Sequence, residues 1–120
     1  MTKTILGFGT AVCSLAAVAL LSSPAKASQG AVRSFEIRGD QFAFSPSRIE
    51  VQKDDVVKVS FTAVDIAHSF TMDGAYRIAK RASPGQTVTF EFRANGSERF
   101  YCNLNQDERC KEMHGELVVK

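Results

Sequence analysis

Charge of one sign is in short supply in this chain. Fifteen Lys and Arg stand against thirteen Asp and Glu over 120 residues, and two of the lysines, Lys3 and Lys26, fall in the first 27 residues. The remainder is close to neutral, which leaves no electrostatic basis for binding nucleic acid or an anionic membrane surface. A long helical period is also missing, and neither an internal repeat nor a low-complexity tract appears. No nucleophile and base stand at a recognisable spacing, so an enzyme is not expected. Histidine is scarce, with only His68 and His114.

The one long apolar run comes first. Lys3 is followed by apolar residues from Ile5 to Leu21, then Ser22-Ser23-Pro24 and the small-x-small triplet Ala25-Lys26-Ala27. This is the layout of a secretory signal peptide cut before Ser28. A retained anchor would need about this apolar length, but Pro24 and the cleavage triplet favour removal. Cys13 lies mid-run behind the bulky Val12, which does not suit a lipid-attachment site. The expected organisation is therefore a signal peptide at 1–27, a short lead-in at 28–33 and one domain at 34–120. Export to the periplasm follows, with no membrane insertion after cleavage. Of the three cysteines, Cys102 and Cys110 remain, in a compartment where disulfides persist.

Within the domain, apolar residues alternate. Phe35, Ile37, Phe42 and Phe44 surround Gly39-Asp40, which predicts a strand over 34–44 with a bend or bulge at the glycine. Ile49 and Val51 share one face of Arg48 to Gln52. Val57, Val59 and Phe61 oppose Lys58, Ser60 and Thr62 in a half-buried strand over 56–63. A loop delivers His68, and Ser69 to Met72 can form a short strand. Ser83-Pro84-Gly85-Gln86 reads as a tight turn. Val88, Phe90 and Phe92 point inward from 87–93, Asn95-Gly96 turns the chain, and 99–102 and 116–119 are the last strands. Short strands about every eight to twelve residues argue an all-β fold, an antiparallel Greek-key β-sandwich.

Soft side chains crowd into Phe100 to Lys120: Cys102, Cys110, Met113 and His114. Thiolate, imidazole and thioether are the groups that copper and zinc select. With His68 arriving from the loop after the 56–63 strand, four side chains could converge: His68, Cys102, Cys110 and Met113. One histidine and one thiolate with a distant thioether is an electron-transfer arrangement for a single copper ion.

At these residues the chain resembles the cupredoxin family, over most of the domain. The resemblance runs through Phe44-Ser45-Pro46, Ile49-Glu50-Val51, Val57 to Phe61, Ala67-His68-Ser69-Phe70, Pro84 to Val88, Phe100-Tyr101-Cys102 and Met113 to Val119. It is strongest toward the small cupredoxin-like domains grouped with EfeO-type iron-uptake proteins. It implies one copper ion, with His68 as the upstream histidine ligand, Cys102 as the thiolate and Met113 in the axial position. Family members with a blue copper site carry a second histidine about three residues before the methionine, where this chain has Cys110.

Three readings follow. All four side chains bind one copper, a soft set that favours Cu(I). Alternatively Cys102 and Cys110 form a bridge, worth about 2.5 kcal/mol for a loop of this length, and the domain is a metal-free interaction module of an iron- or copper-uptake system. A binuclear copper centre fits the Cys110-to-His114 spacing, but its cysteines would be too far apart. Taken singly, His68 could be an ordinary loop histidine and Met113 core filler, while His114 should face away from Met113. Met72 is expected in the core. Lys80, Arg81, Arg109 and Lys111 are either scattered solvated charges or a docking patch. The expectation is a monomeric exported copper-binding protein in electron transfer or copper handling, with a redox or copper-transfer protein as partner.

Overall fold

The computed structural model describes residues 30–120, so the expected signal peptide at 1–27 lies outside the described residues. The strands are β1 (Val32–Asp40), β2 (Ala43–Ser45), β3 (Arg48–Val51), β4 (Val56–Ala63), β5 (His68–Met72), β6 (Ile78–Ala82), β7 (Thr87–Arg93), β8 (Glu98–Tyr101) and β9 (His114–Val119). A 3₁₀ segment, Glu108–Glu112, sits between β8 and β9. Two sheets form: a four-stranded one in the order β2-β1-β4-β7 and a five-stranded one in the order β3-β9-β8-β5-β6. No helix among the described residues is long and apolar enough to cross a membrane.

The expected all-β sandwich is therefore what forms, but the sheets are mixed. β1 runs parallel to β4, and β3 runs parallel to β9. Alternation records which face of a strand is buried and carries no information on the direction of its neighbour. β1 also begins at Val32, two residues inside the expected lead-in. The anticipated bend at Gly39 is instead a hairpin one step later, where Asp40 pairs with Ala43 around a two-residue turn, Gln41-Phe42. His68 opens a strand and is not held in a loop.

The core lies between the sheets, where period-two alternation sends every second side chain. Ile37, Val57, Val59 and Phe61 come from one sheet, and Ile49, Val51, Phe70, Met72, Phe100 and Leu117 from the other, all buried. Phe70 and Phe100 stack with centroids 4.6 Å apart, and Phe44 meets Phe100 edge-on at 5.0 Å. Gly115 pairs with Phe100 across β8 and β9. A Cβ on Gly115 would run into the Phe100 ring and stand 2.7 Å from the Ser47 carbonyl oxygen. The missing side chain is what admits the ring.

One buried charge ties the far end. Asp55 is buried; its carboxylate accepts from the Ala31 N–H and the Gln52 N–H, each at 2.8 Å, and from Arg33 Nε at 3.4 Å. These two backbone donors, helped by Arg33 and opposed by desolvation, hold its pKa below the usual carboxylate value. A carboxylate with a depressed folded-state pKa adds stability above its unfolded pKa and loses it as pH falls through the folded value. Asp55→Asn is therefore expected to lower the urea midpoint at pH 7. The gap from the parent should narrow steadily below about pH 4, and a gap that stays constant with pH would contradict the assignment.

Candidate functional site

Three of the four expected ligands are delivered by register. Phe70 and Met72 face the core from β5, so His68, a further two residues back, lies on the same inner face. Cys102 follows Phe100 by two residues. The β8–β9 pairing of Tyr101 with His114 continues to Cys102 opposite Met113, whose carbonyl accepts from the Cys102 N–H at 3.3 Å. His68, Cys102 and Met113 are all fully buried or nearly so. They occupy the inner layer next to the Phe70–Phe100 stack. Ser69 and Asn103, one residue further along each strand, lock the two together: the Asn103 N–H donates to Ser69 Oγ at 2.8 Å, and Ser69 Oγ donates to Asn103 Oδ1 at 2.7 Å.

Cys110 comes from the 3₁₀ segment. Asp107 caps that segment by accepting from the Arg109 N–H at 2.9 Å, and Cys110 is its one buried residue. Cys110 is bonded to Cys102 in a disulfide, with a Cα–Cα distance of 5.5 Å. Of the three readings of this pair, the bridge is the one the structure contains.

His68 is held in one tautomer. Its ring Nε2 stands 2.7 Å from Asp65 Oδ1, and a carboxylate can only accept, so Nε2 is the donor of this pair and in the neutral ring the lone pair falls on Nδ1. Burial works to raise the Asp65 pKa, but the Gln41 N–H, the His68 ring and the Ile66 N–H outweigh it, and the carboxyl sits well below the usual range. His68 Nδ1 is buried with no hydrogen-bond partner. On the other side Gly39 leaves room for the imidazole, because a Cβ there would come within 3.2 Å of its ring atoms. His114, by contrast, is exposed and donates from Nδ1 to the Glu112 carbonyl at 3.0 Å.

The turn between β1 and β2 closes the outer side. Gln41 and Phe42 have φ of 51° and 61°, the positive signs of a type I′ turn. For two residues with a Cβ this costs on the order of 1 kcal/mol or more each. Gln41 donates its N–H to Asp65 Oδ2 at 2.9 Å, and the Phe42 ring meets His68 edge-on at 5.9 Å. The Arg109 guanidinium lies 4.2 Å from the Phe42 centroid. Sequence reasoning passed over Asp65 and read Phe42 only as an apolar strand residue, whereas it lies in the turn between β1 and β2. The Asp65-x-x-His68 spacing was the available signal for the first; nothing in the sequence marks the second.

In the bridged state these residues do not fit copper. The metal-binding form of cysteine is the thiolate, and the bridge consumes both, leaving one imidazole nitrogen and a thioether. Among the described residues, no group of three or more His, Cys, Asp or Glu is arranged to hold a metal ion. With the bridge open, Cys102, Cys110, Met113 and the orphaned His68 Nδ1 are a donor set that suits Cu(I). The carboxylate on the far nitrogen of His68 is the outer partner that metal-ligating histidines regularly have.

The sandwich of a four-stranded and a five-stranded sheet is a cupredoxin-type fold. The chain belongs to the family of the cupredoxin-like domain, whose pattern matches residues 11–119. No curated protein matches it. Solved structures show the same fold. Auracyanin A, a "blue" copper protein from Chloroflexus aurantiacus, is 18% identical with a TM-score of 0.62, over 74% of this chain and 99% of that one. The metal-binding domain of the Cu(I)-exporting P-type ATPase CopA of Streptococcus pneumoniae D39 is 15% identical with a TM-score of 0.62, over 74% and 86%. A chain of a heme-copper terminal oxidase dimer is 18% identical with a TM-score of 0.63; the match covers 73% of this chain and 65% of that one.

The bridge has two direct consequences. Unreduced trypsin digestion should yield the peptide Phe100–Arg109 joined to Cys110-Lys111, and reduction should part them. Replacing both cysteines by alanine should lower unfolding free energy by about 2.5 kcal/mol in a urea titration; an unchanged midpoint would mean the bridge is not formed in solution.

Proposed function

We propose that this is an exported copper-handling protein of the periplasm that takes up Cu(I) as cargo when the Cys102–Cys110 bridge is reduced. The observation that carries this reading is His68 Nδ1, which is buried without a hydrogen-bond partner while Asp65 engages the other ring nitrogen. An unpartnered buried acceptor carries a desolvation penalty of about 1–3 kcal/mol, which a bound ion would remove. Opening the bridge requires a dithiol reductant. The S–S bond breaks, two thiols form, and the reductant leaves as a disulfide. His68, Cys102 and Cys110 then supply the donors, and Met113 the soft contact that favours the cuprous state. A redox or copper-transfer protein is the expected partner, and the chain acts by hand-over of the ion, without a substrate pocket.

The bridge itself favours a second reading, a metal-free module of a metal-uptake system, stapled shut at this loop. The two separate cleanly. The exported protein is reduced with a dithiol, freed of it under argon, and titrated with Cu(I) against a chromophoric chelator. One ion per chain is expected after reduction and none in the bridged form. His68→Ala should abolish binding and Asp65→Asn should weaken it about 10- to 100-fold. A reduced protein that takes up no copper would leave the stapled module as the function.

A further inference from the structure

Two side chains stand in succession outward from His68 toward solvent, Phe42 and then Arg109. His68 is fully buried, Phe42 against it is half-buried, and Arg109 over Phe42 has a side chain 65% exposed. The middle layer is carried by a strained turn, in which Gln41 and Phe42 both hold positive φ without being glycine. Such a conformation persists only where its surroundings hold it, and here the holds are few and identifiable. Asp65 accepts from Gln41 with one oxygen and from the His68 ring with the other. The Phe42 ring rests on the imidazole, and the Arg109 guanidinium presses on Phe42 from outside. Arg109 is itself held by Asp107, through Nε at 3.3 Å and Nη2 at 3.2 Å, in the segment that contains Cys110.

From this layering we infer that Phe42 is the access-controlling residue of the site, latched over His68 by Arg109. Release of the turn exposes the imidazole, while the latched form shields it. The position of Arg109 next to Cys110 ties the latch to the bridge, because loosening the 3₁₀ segment removes the outer hold on Phe42. What passes the latch rests on the copper reading above; the shielding of the imidazole does not.

The test uses the exported, bridged protein without metal. Diethyl pyrocarbonate modifies accessible neutral imidazoles, and peptide mass spectrometry gives the rate at His68 relative to exposed His114. Phe42→Gly, which relieves the positive φ and removes the ring, is expected to raise this ratio at least tenfold. Arg109→Gln should raise it severalfold, and Phe42→Leu should leave it within about twofold of the parent. Circular dichroism checks the fold. Should Phe42→Gly lose its sheet signal, the ratio in Arg109→Gln decides, since that side chain lies on the surface. An unchanged ratio in the folded variants overturns the latch even if the reduced protein binds copper. In the reduced, loaded protein Phe42→Gly should also speed Cu(I) transfer to the chelator at least tenfold. A protein that takes up no copper but whose His68 reactivity responds keeps the latch and loses the copper reading.

Discussion

The contact on which the site depends is the stack of Phe70 on Phe100, 4.6 Å between centroids, at the centre of the five-stranded sheet's inner face. A strand repeats its facing every two residues. Burying Phe70 therefore commits His68 to the interior, and burying Phe100 commits Cys102. Gly115 completes the layer from the third strand by leaving the space the Phe100 ring fills, which commits Met113 in the same way. By the same register Cys102 and Met113 fall in line with Phe70 and His68 lies one step beyond them, so the soft side chains reach this end of the sheet as a consequence of ordinary packing. The aromatic layer beneath keeps that end dry, and the low dielectric raises both the strength of a satisfied polar contact and the cost of an orphaned one.

Cys110 decides the chemistry of that layer. By the sequence resemblance it stands where blue-copper members of the family carry a histidine, which exchanges a donor that cannot form a covalent link for one that can. A histidine at that place would leave the thiolate of Cys102 permanently available. A cysteine makes its availability depend on the oxidation state of the pair, and in an oxidising compartment the bridge is the resting form. The same substitution removes an imidazole nitrogen and adds a second soft sulfur, which in a copper-binding open site would move the preference toward Cu(I) and away from reversible exchange with Cu(II). On the proposed copper reading, that shift favours transport or sequestration over fast electron transfer.

Much of this was legible in the sequence, and the rest was not for specific reasons. Val57, Val59 and Phe61 announced a half-buried strand because a side chain's facing is a local property. The parallel pairings of β1 with β4 and β3 with β9 were not visible, because strand direction is decided by chain crossings that leave no trace in alternation. Gly39 was the natural choice for the bend in β1, since glycine tolerates left-handed backbone. The positive φ falls instead on Gln41 and Phe42, where only tertiary contacts could put it, and Gly39 serves to give the His68 ring space. Residue spacing favoured a ligand pair over a bridge for Cys102 and Cys110 without excluding either, since one dithiol pair can adopt either state. Asp65 escaped notice because a carboxylate three residues before a histidine is unremarkable until the two side chains are seen 2.7 Å apart.

That carboxylate is the point at which the separate parts become one device. Its Oδ1 fixes the proton of His68 on Nε2, and its Oδ2 holds the N–H of Gln41 in a turn that would otherwise relax. Any displacement of the imidazole is therefore felt at the turn carrying Phe42, and any release of the turn costs Asp65 one of the donors that keep it ionised. Arg109 joins the opposite edge of the same turn to the cysteine loop. The imidazole, the shielding ring and the segment that carries Cys110 are thus linked by named contacts through Asp65, Gln41, Phe42 and Arg109, the route by which a change at the sulfurs would reach the imidazole.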